Sequence, residues 1–418
     1  MHFKSYKVRL EPNNRQRSQF AQHAGVARHA YNAGLNYCIA SYDKEKKTPS
    51  AITMHKWLVA EVKSKFPWYY KASKFSSQQA LRNLEVSFKN FHRYQKKYGY
   101  KNYRFKIVNG KKTIVGLKGL PKFKKKGSND RFYLEGKILI EKNKIKLPKI
   151  GRVKLSEAVP VDEIKNCTIS KIADHWYLAF KTEVQTNHTE KKHQAVGVDL
   201  GVKQLAVLSN GETFENLKPY KNAKLKIRRD QKAVARKFMK GAENQSANYK
   251  KSCLKLAKTH NRVANIRINN IHKITSYLAK NFESVTIENL RVQNMSKNHK
   301  LASAILDGGF YEFKRQLLYK KSWYGGKVII ANSFFASSKT CSNCGAIKKE
   351  LTLDQRVYNC NYCHYRQDRD LNAAINLENL EVSSTLTAFG DESSADSFKP
   401  TAQLVDELGR KHQVFNFE

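Results

Sequence analysis

Four cysteines and three acidic side chains are the residues of this 418-residue sequence whose types and spacing could do chemistry. Two residues separate Cys341 from Cys344, two separate Cys360 from Cys363, and fifteen lie between the pairs. That is the spacing of a four-thiolate zinc ribbon, in which two tight knuckles each offer two sulfurs to one tetrahedral ion. Four sulfurs close the shell and leave no position for water or substrate, so the single zinc is expected to be structural. Its binding releases on the order of 10 kcal/mol, enough to fold a module of about thirty residues that has almost no apolar core. A redox dithiol pair is the alternative, but two such pairs at ribbon separation rarely serve redox chemistry.

The acidic candidates are Asp199, Glu288 and Asp370. Asp199 falls inside the alternating stretch "AVGVDLGV", flanked on its own face by glycines that leave room for something close to the backbone. A dry, unpaired carboxylate there would cost several kcal/mol, and a cation would resolve that cost. Glu288 repeats the situation at the end of "SVTIE". Asp370 opens the helix "DLNAAINL", where the helix dipole favours its ionised form and Ala373 and Ala374 permit close packing on a sheet. Taken singly, each has an ordinary alternative: a turn residue, an edge-strand surface group, a helix cap. Together, hard oxygen ligands from two strands and a helix start are what a pair of Mg²⁺ ions needs to clamp a phosphodiester, and they point to an RNase H-like nuclease. Asp368 is the rival for the third position and reads better as a solvated or supporting group.

These residues need a scaffold to bring them together. "YKVRL" reads as a strand, and the segment that follows, "PNNRQRSQFAQ…", as a long helix with an asparagine start signal. In "SSQQALRNLEVSFKNFHRYQKK", Leu81, Leu84, Phe88 and Phe91 form one apolar stripe, with Arg82, Lys89 and Arg93 facing elsewhere. Residues 11–103 therefore read as a basic helical domain inserted into a small β-barrel made of 1–10 and 104–188, where short apolar runs such as "RFYLEG" and "KILIEKN" alternate with turns. A second, α/β domain covers 189–335 and 367–380. It opens with a hairpin turning at Asn210-Gly211 and contains a basic helical stretch around Leu254, Ala257, His260, Val263 and Ile266. The cysteine module, 336–366, interrupts it.

Lys+Arg 78 against Asp+Glu 35 gives a formal charge of +43, which favours a polyanion partner over a merely soluble basic surface. From 381 to 418 the sign flips, with seven acidic residues against three basic ones, and a disordered tail is expected. Cys38, Cys167 and Cys253 are scattered and read as buried small hydrophobes of a reducing compartment. The start "MHFKSYKVRLEP" lacks the core of a secretory signal, and no run of about 18 apolar residues could span a bilayer. The expectation is a cytoplasmic protein associated with the nucleoid, with no membrane partner.

"GVDLGVKQLAV", "TIENL", "SSKTCSNCG" and "DRDLNAAINL" resemble the RuvC and zinc-ribbon motifs of TnpB proteins, RNA-guided nucleases of bacterial and archaeal insertion sequences related to type V CRISPR effectors. "YKVRLEPN", "LPKIGRVK" and "HKITSYLAK" extend the resemblance over nearly the whole chain. It departs where "YKNYRFK" lacks a proline and where "RINNIHK" has Asn269 in place of aspartate. The resemblance implies a multidomain α+β protein: a wedge barrel split by a helical recognition domain, then a RuvC domain interrupted near its end by the zinc ribbon. It assigns the RuvC carboxylates to Asp199, Glu288 and Asp370 with two Mg²⁺, and places Lys74 and Gln78 on a helix facing a short duplex motif beside the target. The implied partners are a noncoding guide RNA from the transposon end and double-stranded target DNA, with the protein monomeric on its RNA. A nuclease-inactive RNA-guided repressor and a guide-independent transposase accessory protein are the rival readings.

Overall fold

Residues 2–45, 48–99, 103–108, 111–117, 119–127, 130–184, 188–242, 244–332, 335–352 and 355–386 are described in a computed structural model. The chain divides into two units, Phe3–Val184 and Gln185–Glu418.

In the first unit, β1 (His2–Glu11) leads into α1 (Asn14–Glu45). The start signal works as a capping box: Gln16 N donates to Asn13 Oδ1 at 2.9 Å and Asn13 N to Gln16 Oε1 at 3.1 Å. α2 (Ala51–Trp57) and, after irregular turns, α3 (Lys74–Tyr98) follow, and Leu81, Leu84, Phe88 and Phe91 are buried as the stripe predicts. β2 (Tyr103–Val108) and β3 (Lys111–Leu117) form a hairpin of their own, outside the barrel sheet that the sequence suggested for this whole stretch. β4 (Arg131–Glu141), β5 (Lys144–Leu147), β6 (Gly151–Leu155), β7 (Glu163–Ile172) and β8 (His175–Val184) close with β1 in the order β1-β6-β5-β4-β7-β8. The helices are thus inserted between the first barrel strand and the rest. "RFYLEG" and "KILIEKN" prove to be one strand: the register of β4 against β7 shifts between Glu135 and Ile138, where Gly136 takes a φ of 126°. Phe20 of α1 meets Trp176 edge-on at 5.2 Å, so helices and barrel share one apolar core.

The second unit opens with β9 (Gly197–Asp199), β10 (Gln204–Leu208) and β11 (Thr213–Glu215), antiparallel neighbours turning at Asn210-Gly211. α4 (Pro219–Lys237) and α5 (Ala247–Asn281) make a basic helical arm. β12 (Ser284–Ile287), α6 (Val292–Met295), α7 (Ala302–Gly308), α8 (Phe310–Tyr324) and β13 (Lys327–Ile330) follow. The cysteine module holds β14 (Val357–Asn359) and β15 (Arg366–Asp368), and α9 (Arg369–Leu386) comes after it. The sheet order is β11-β10-β9-β12-β13, with β12 parallel to both neighbours and buried at every position, as a central parallel strand must be. Ile271, Ile274 and Leu278 of α5 and Phe310, Phe313 and Leu317 of α8 belong to its core.

The outer half of α5 is the basic helical stretch read from the sequence. Leu254, Ala257, His260 and Ile266 are exposed, and the buried positions are Ser252, Thr259 and Val263. The reason is that α4 packs there through polar groups. Thr259 donates to buried Asp230 at 3.1 Å, and Lys237 donates to Ser252 at 2.8 Å. The arm's root is held by Asp307 of α7, which accepts the N–H groups of Tyr220 and Lys221 at α4's start, at 3.0 and 3.1 Å, and pairs with Arg267 of α5 at 2.6 Å.

α9 runs to Leu386, past the expected boundary at 380, because Glu381–Leu386 carries no Gly or Pro to stop it and a change in charge sign is not a helix breaker. The remainder of the expected tail, 387–418, lies outside the described residues. Cys38 and Cys167 are buried, whereas Cys253 is only half-buried. No helix among the described residues is long and apolar enough to cross a membrane.

Candidate metal centres

β12 lies between β9 and β13, so Glu288, at its end, is not an edge residue. The parallel register pairs Ile287 with Val198, and one step further along both strands stand Glu288 and Asp199. α9 closes against this pair because Gly197 lets it. A Cβ built there would lie 1.9 Å from the Ala374 carbonyl oxygen and 2.6 Å from the Glu378 nitrogen. The room that glycine leaves beside Asp199 is therefore filled by helix backbone. Ala373 and Ala374, both fully buried, complete the contact.

At the start of α9 the two aspartates divide their work. Asp368 Oδ1 accepts from Asp370 N at 2.9 Å and from Leu371 N at 3.1 Å, so Asp368 is the cap and the Asp370 carboxylate is not used in capping. Asp199 keeps part of its surface to solvent but is otherwise enclosed by protein. Burial, then the charges of Glu288 and Asp370, push its carboxyl up to about 8, against the pull of Arg369. The structure thus gathers Asp199, Glu288 and Asp370 into one electrostatic cluster. A half-buried acid raised by two like charges fits a hard divalent cation, whose charge would offset both desolvation and repulsion.

The cysteine cluster is tighter. Among the described residues it is the group whose ligand atoms all lie within 4.8 Å of one another; the carboxylates are less closely drawn. Cys341 and Cys363 sulfurs are 3.7 Å apart and Cys344 and Cys360 sulfurs 3.6 Å. A tetrahedron with Zn–S bonds of about 2.3 Å has edges of about 3.8 Å, so the donor set fits zinc. Backbone N–H groups of Cys363 and Tyr362 lower the Cys360 thiol, and those of Tyr365 with the Asn343 amide bring Cys363 down to about 6. Against the lowering by the Ala346 amide, a hydrogen bond with Cys363 and desolvation push Cys344 up to about 12. Four thiols in so small a volume ionise together only around a cation. Buried Tyr358 completes a three-residue core with Cys341 and Cys360.

Three side chains that the sequence did not single out join the two centres. Asn372 Nδ2 donates to Thr340 O at 2.7 Å and its Oδ1 accepts from Ser342 N at 2.9 Å. Asn376 Nδ2 donates to Ser337 O at 2.8 Å and Thr340 O at 2.7 Å. The Ser337 hydroxyl in turn donates to Glu288. A signal was present: two asparagines four apart inside "NAAIN", poor helix formers on one helix face, ask for partners.

Lys74 and Gln78 belong to the other unit. They stand one turn apart on α3, Lys74 exposed with its ammonium 5.2 Å from the Phe75 ring centre, Gln78 half-buried. The start of α3 is fixed by His23, whose Nε2 accepts from Ser73 N at 3.1 Å while Nδ1 donates to Gln19 O at 2.8 Å.

Families described as "Probable transposase", "Cas12f1-like, TNB domain" and "Helix-turn-helix domain" match residues 179–299, 310–377 and 1–47. In the last span the described residues form β1 and the single helix α1. A protein of Escherichia coli (strain K12) named "Putative RNA-guided DNA endonuclease InsQ" is 30% identical over 97% of this chain and 98% of its own length. A Streptomyces pristinaespiralis protein of the same description is 29% identical over 93% of this chain and 91% of its own. Among solved structures, Cas12f1 in complex with its guide RNA and target DNA shares the fold, with a TM-score of 0.50 at 15% identity over 87% of this chain and 82% of that one.

Proposed function

The chain belongs to the TnpB family, and from that premise we propose that it is an RNA-guided DNA endonuclease, cutting double-stranded DNA beside a short transposon-adjacent motif by hydrolysis at Asp199, Glu288 and Asp370. The observation that carries this reading is the convergence of three acids from β9, β12 and α9, with Asp199 raised to about 8 by burial and by the other two. A desolvated acid raised by two like charges costs the fold stability, and cations would offset that cost. Two Mg²⁺ ions held by these carboxylates would supply water activation and stabilisation of the leaving oxygen. The protein's part is to fix the ligands: β9 and β12 by their shared register, Asp370 by the cap at Asp368 and the close seat on Gly197.

A guide RNA supplies sequence recognition by base pairing, so the protein need only hold the nucleic-acid backbones and read a short motif. The formal charge of +43 supports the first task, and exposed Lys74 with half-buried Gln78 one turn along α3 is our candidate for the second. The four cysteines hold one structural zinc. A nuclease-inactive repressor would not need all three acids in one cluster, which counts against that reading.

The test is to sequence the RNA that co-purifies with the protein and then offer the complex a plasmid matched to it, with Mg²⁺. Cleavage of the matched plasmid and its loss in Asp199→Ala, with RNA and DNA binding kept, is the expected outcome. Undiminished cleavage by that variant would sink the assignment.

A further inference from the structure

The cysteine module meets the nuclease site through a short chain of hydrogen bonds that ends on a carboxylate. Arg369, Asn372 and Asn376 project from neighbouring turns of α9, and all three bind main-chain groups of the module or its base. Arg369 Nη1 donates to Thr352 O at 3.1 Å, and the asparagines take Ser337, Thr340 and Ser342 as described. Between them, Ala374 lies against Gly197 of β9, and Ala373 beside it is buried. α9 is therefore a two-faced plate, apolar toward the sheet and amide-bearing toward the module.

Ser337 is where the chain of bonds turns back to the site. Its carbonyl is gripped by Asn376, its side chain is 1% exposed, and its hydroxyl donates to Glu288. Asn372 and Asn376 are 0% and 4% exposed, so each of these bonds is shielded from competing water. A hydroxyl aimed at one carboxylate oxygen fixes the rotation of that carboxylate. Glu288 has more torsional freedom than either aspartate, so it is the ligand with most to gain from being held.

We propose that Ser337 is a positioning residue for Glu288, held in place by Asn376 and Asn372, so that the cysteine module orients one carboxylate of the nuclease site. The inference rests on the three-carboxylate reading above. It assigns the module a task besides its own fold: presenting one hydroxyl to the site that cuts. The consequence is that divalent-metal affinity at the site depends on a side chain that belongs to the base of the ribbon.

The experiment uses the RNA-bound protein and two readouts. One is Mn²⁺ bound to the complex, counted from the free-ion spin-resonance signal and referred to an Asp199→Ala complex that supplies the RNA background. The other is the single-turnover cleavage rate as a function of Mg²⁺. Ser337→Ala is expected to raise the half-saturating metal concentration by about tenfold, the size of a lost hydrogen bond to a charged group, with the rate at saturating metal reduced less than threefold. Ser337→Thr keeps the hydroxyl and restores the wild-type value. Asn376→Ala, with zinc content unchanged, shifts metal dependence in the same direction. The proposal is overturned if Ser337→Ala keeps the wild-type metal dependence, or if its loss of activity lies wholly in the saturated rate and Thr does not rescue it. Failure of the underlying reading looks different: Glu288→Gln and Asp199→Ala would then both cut as wild type does.

Discussion

The two candidate metal centres of the second unit lie a few hydrogen bonds apart and are built by opposite means. The sulfur centre takes all its ligands from one short stretch, Cys341 to Cys363, and its sulfurs already stand at zinc spacing. The carboxylate centre draws on β9, the end of β12 and the start of α9, and burial, with the charges of its other two members, holds Asp199 up to about 8. One centre converts metal binding into folding energy. The other spends folding energy, supplied by a central sheet and a tightly seated helix, to keep like charges together for a later cation. A site that must release product and rebind metal gains from that tension, and a structural site does not.

The contrast breaks most visibly at the cysteines. Cys360→Ser should lose stoichiometric zinc and, with it, stabilisation on the order of 10 kcal/mol for the module, read as lost hydrogen-exchange protection over 337–368 and as metal content. Asp199→Ala should do the reverse. Cleavage falls about a thousandfold or more, while the melting temperature in EDTA stays level or rises because a desolvated, repelled acid has gone. A marked fall in that temperature would make Asp199 a structural residue.

Gly197→Ala sharpens the comparison by moving the helix without touching a ligand. A Cβ 1.9 Å from the Ala374 carbonyl must displace α9, at a cost of about 1–3 kcal/mol. Cleavage should drop about a hundredfold with zinc retained, since a shift of about 1 Å at a catalytic ligand is worth that much. The smallest effect gauges desolvation without clustered charge. Burial lowers His23, and its neutral ring both accepts from Ser73 N and donates to Gln19 O. The folded state then resists a proton that the unfolded chain takes up, so this contribution is whole above the unfolded value of about 6.5 and declines as pH falls below it. Thermal melts from pH 8 to 5 should show that decline, and His23→Gln should flatten it.

What could be read beforehand follows from the range of each interaction. The cysteine spacing, the α3 stripe and the Asn210-Gly211 turn are local, and sequence displays them directly. The join of two runs into β4 depended on a bulge at Gly136, which reads equally well as a turn. The buried face of α5 has no apolar signature there, because Ser252 and Thr259 meet Lys237 and Asp230 of α4 through polar bonds. Asp199, Glu288 and Asp370 were legible as a trio from their residue types, their settings and the family resemblance. The Ser337 and asparagine bonds beside them were not, because they join residues 30 to 49 positions apart in the chain.

Asp307 has one more effect. It moors the basic arm at its root, and at the far end Gln245 bonds back to Met239 in both directions. Because α4 and α5 are also tied to each other near that end by Lys237 and Ser252, a pull on the arm's outer lysines would be passed to Asp307 and α7. That short helix follows α6 and the loop leading away from Glu288, so a strand bound along the arm would bear on the stretch of chain beside the proposed site.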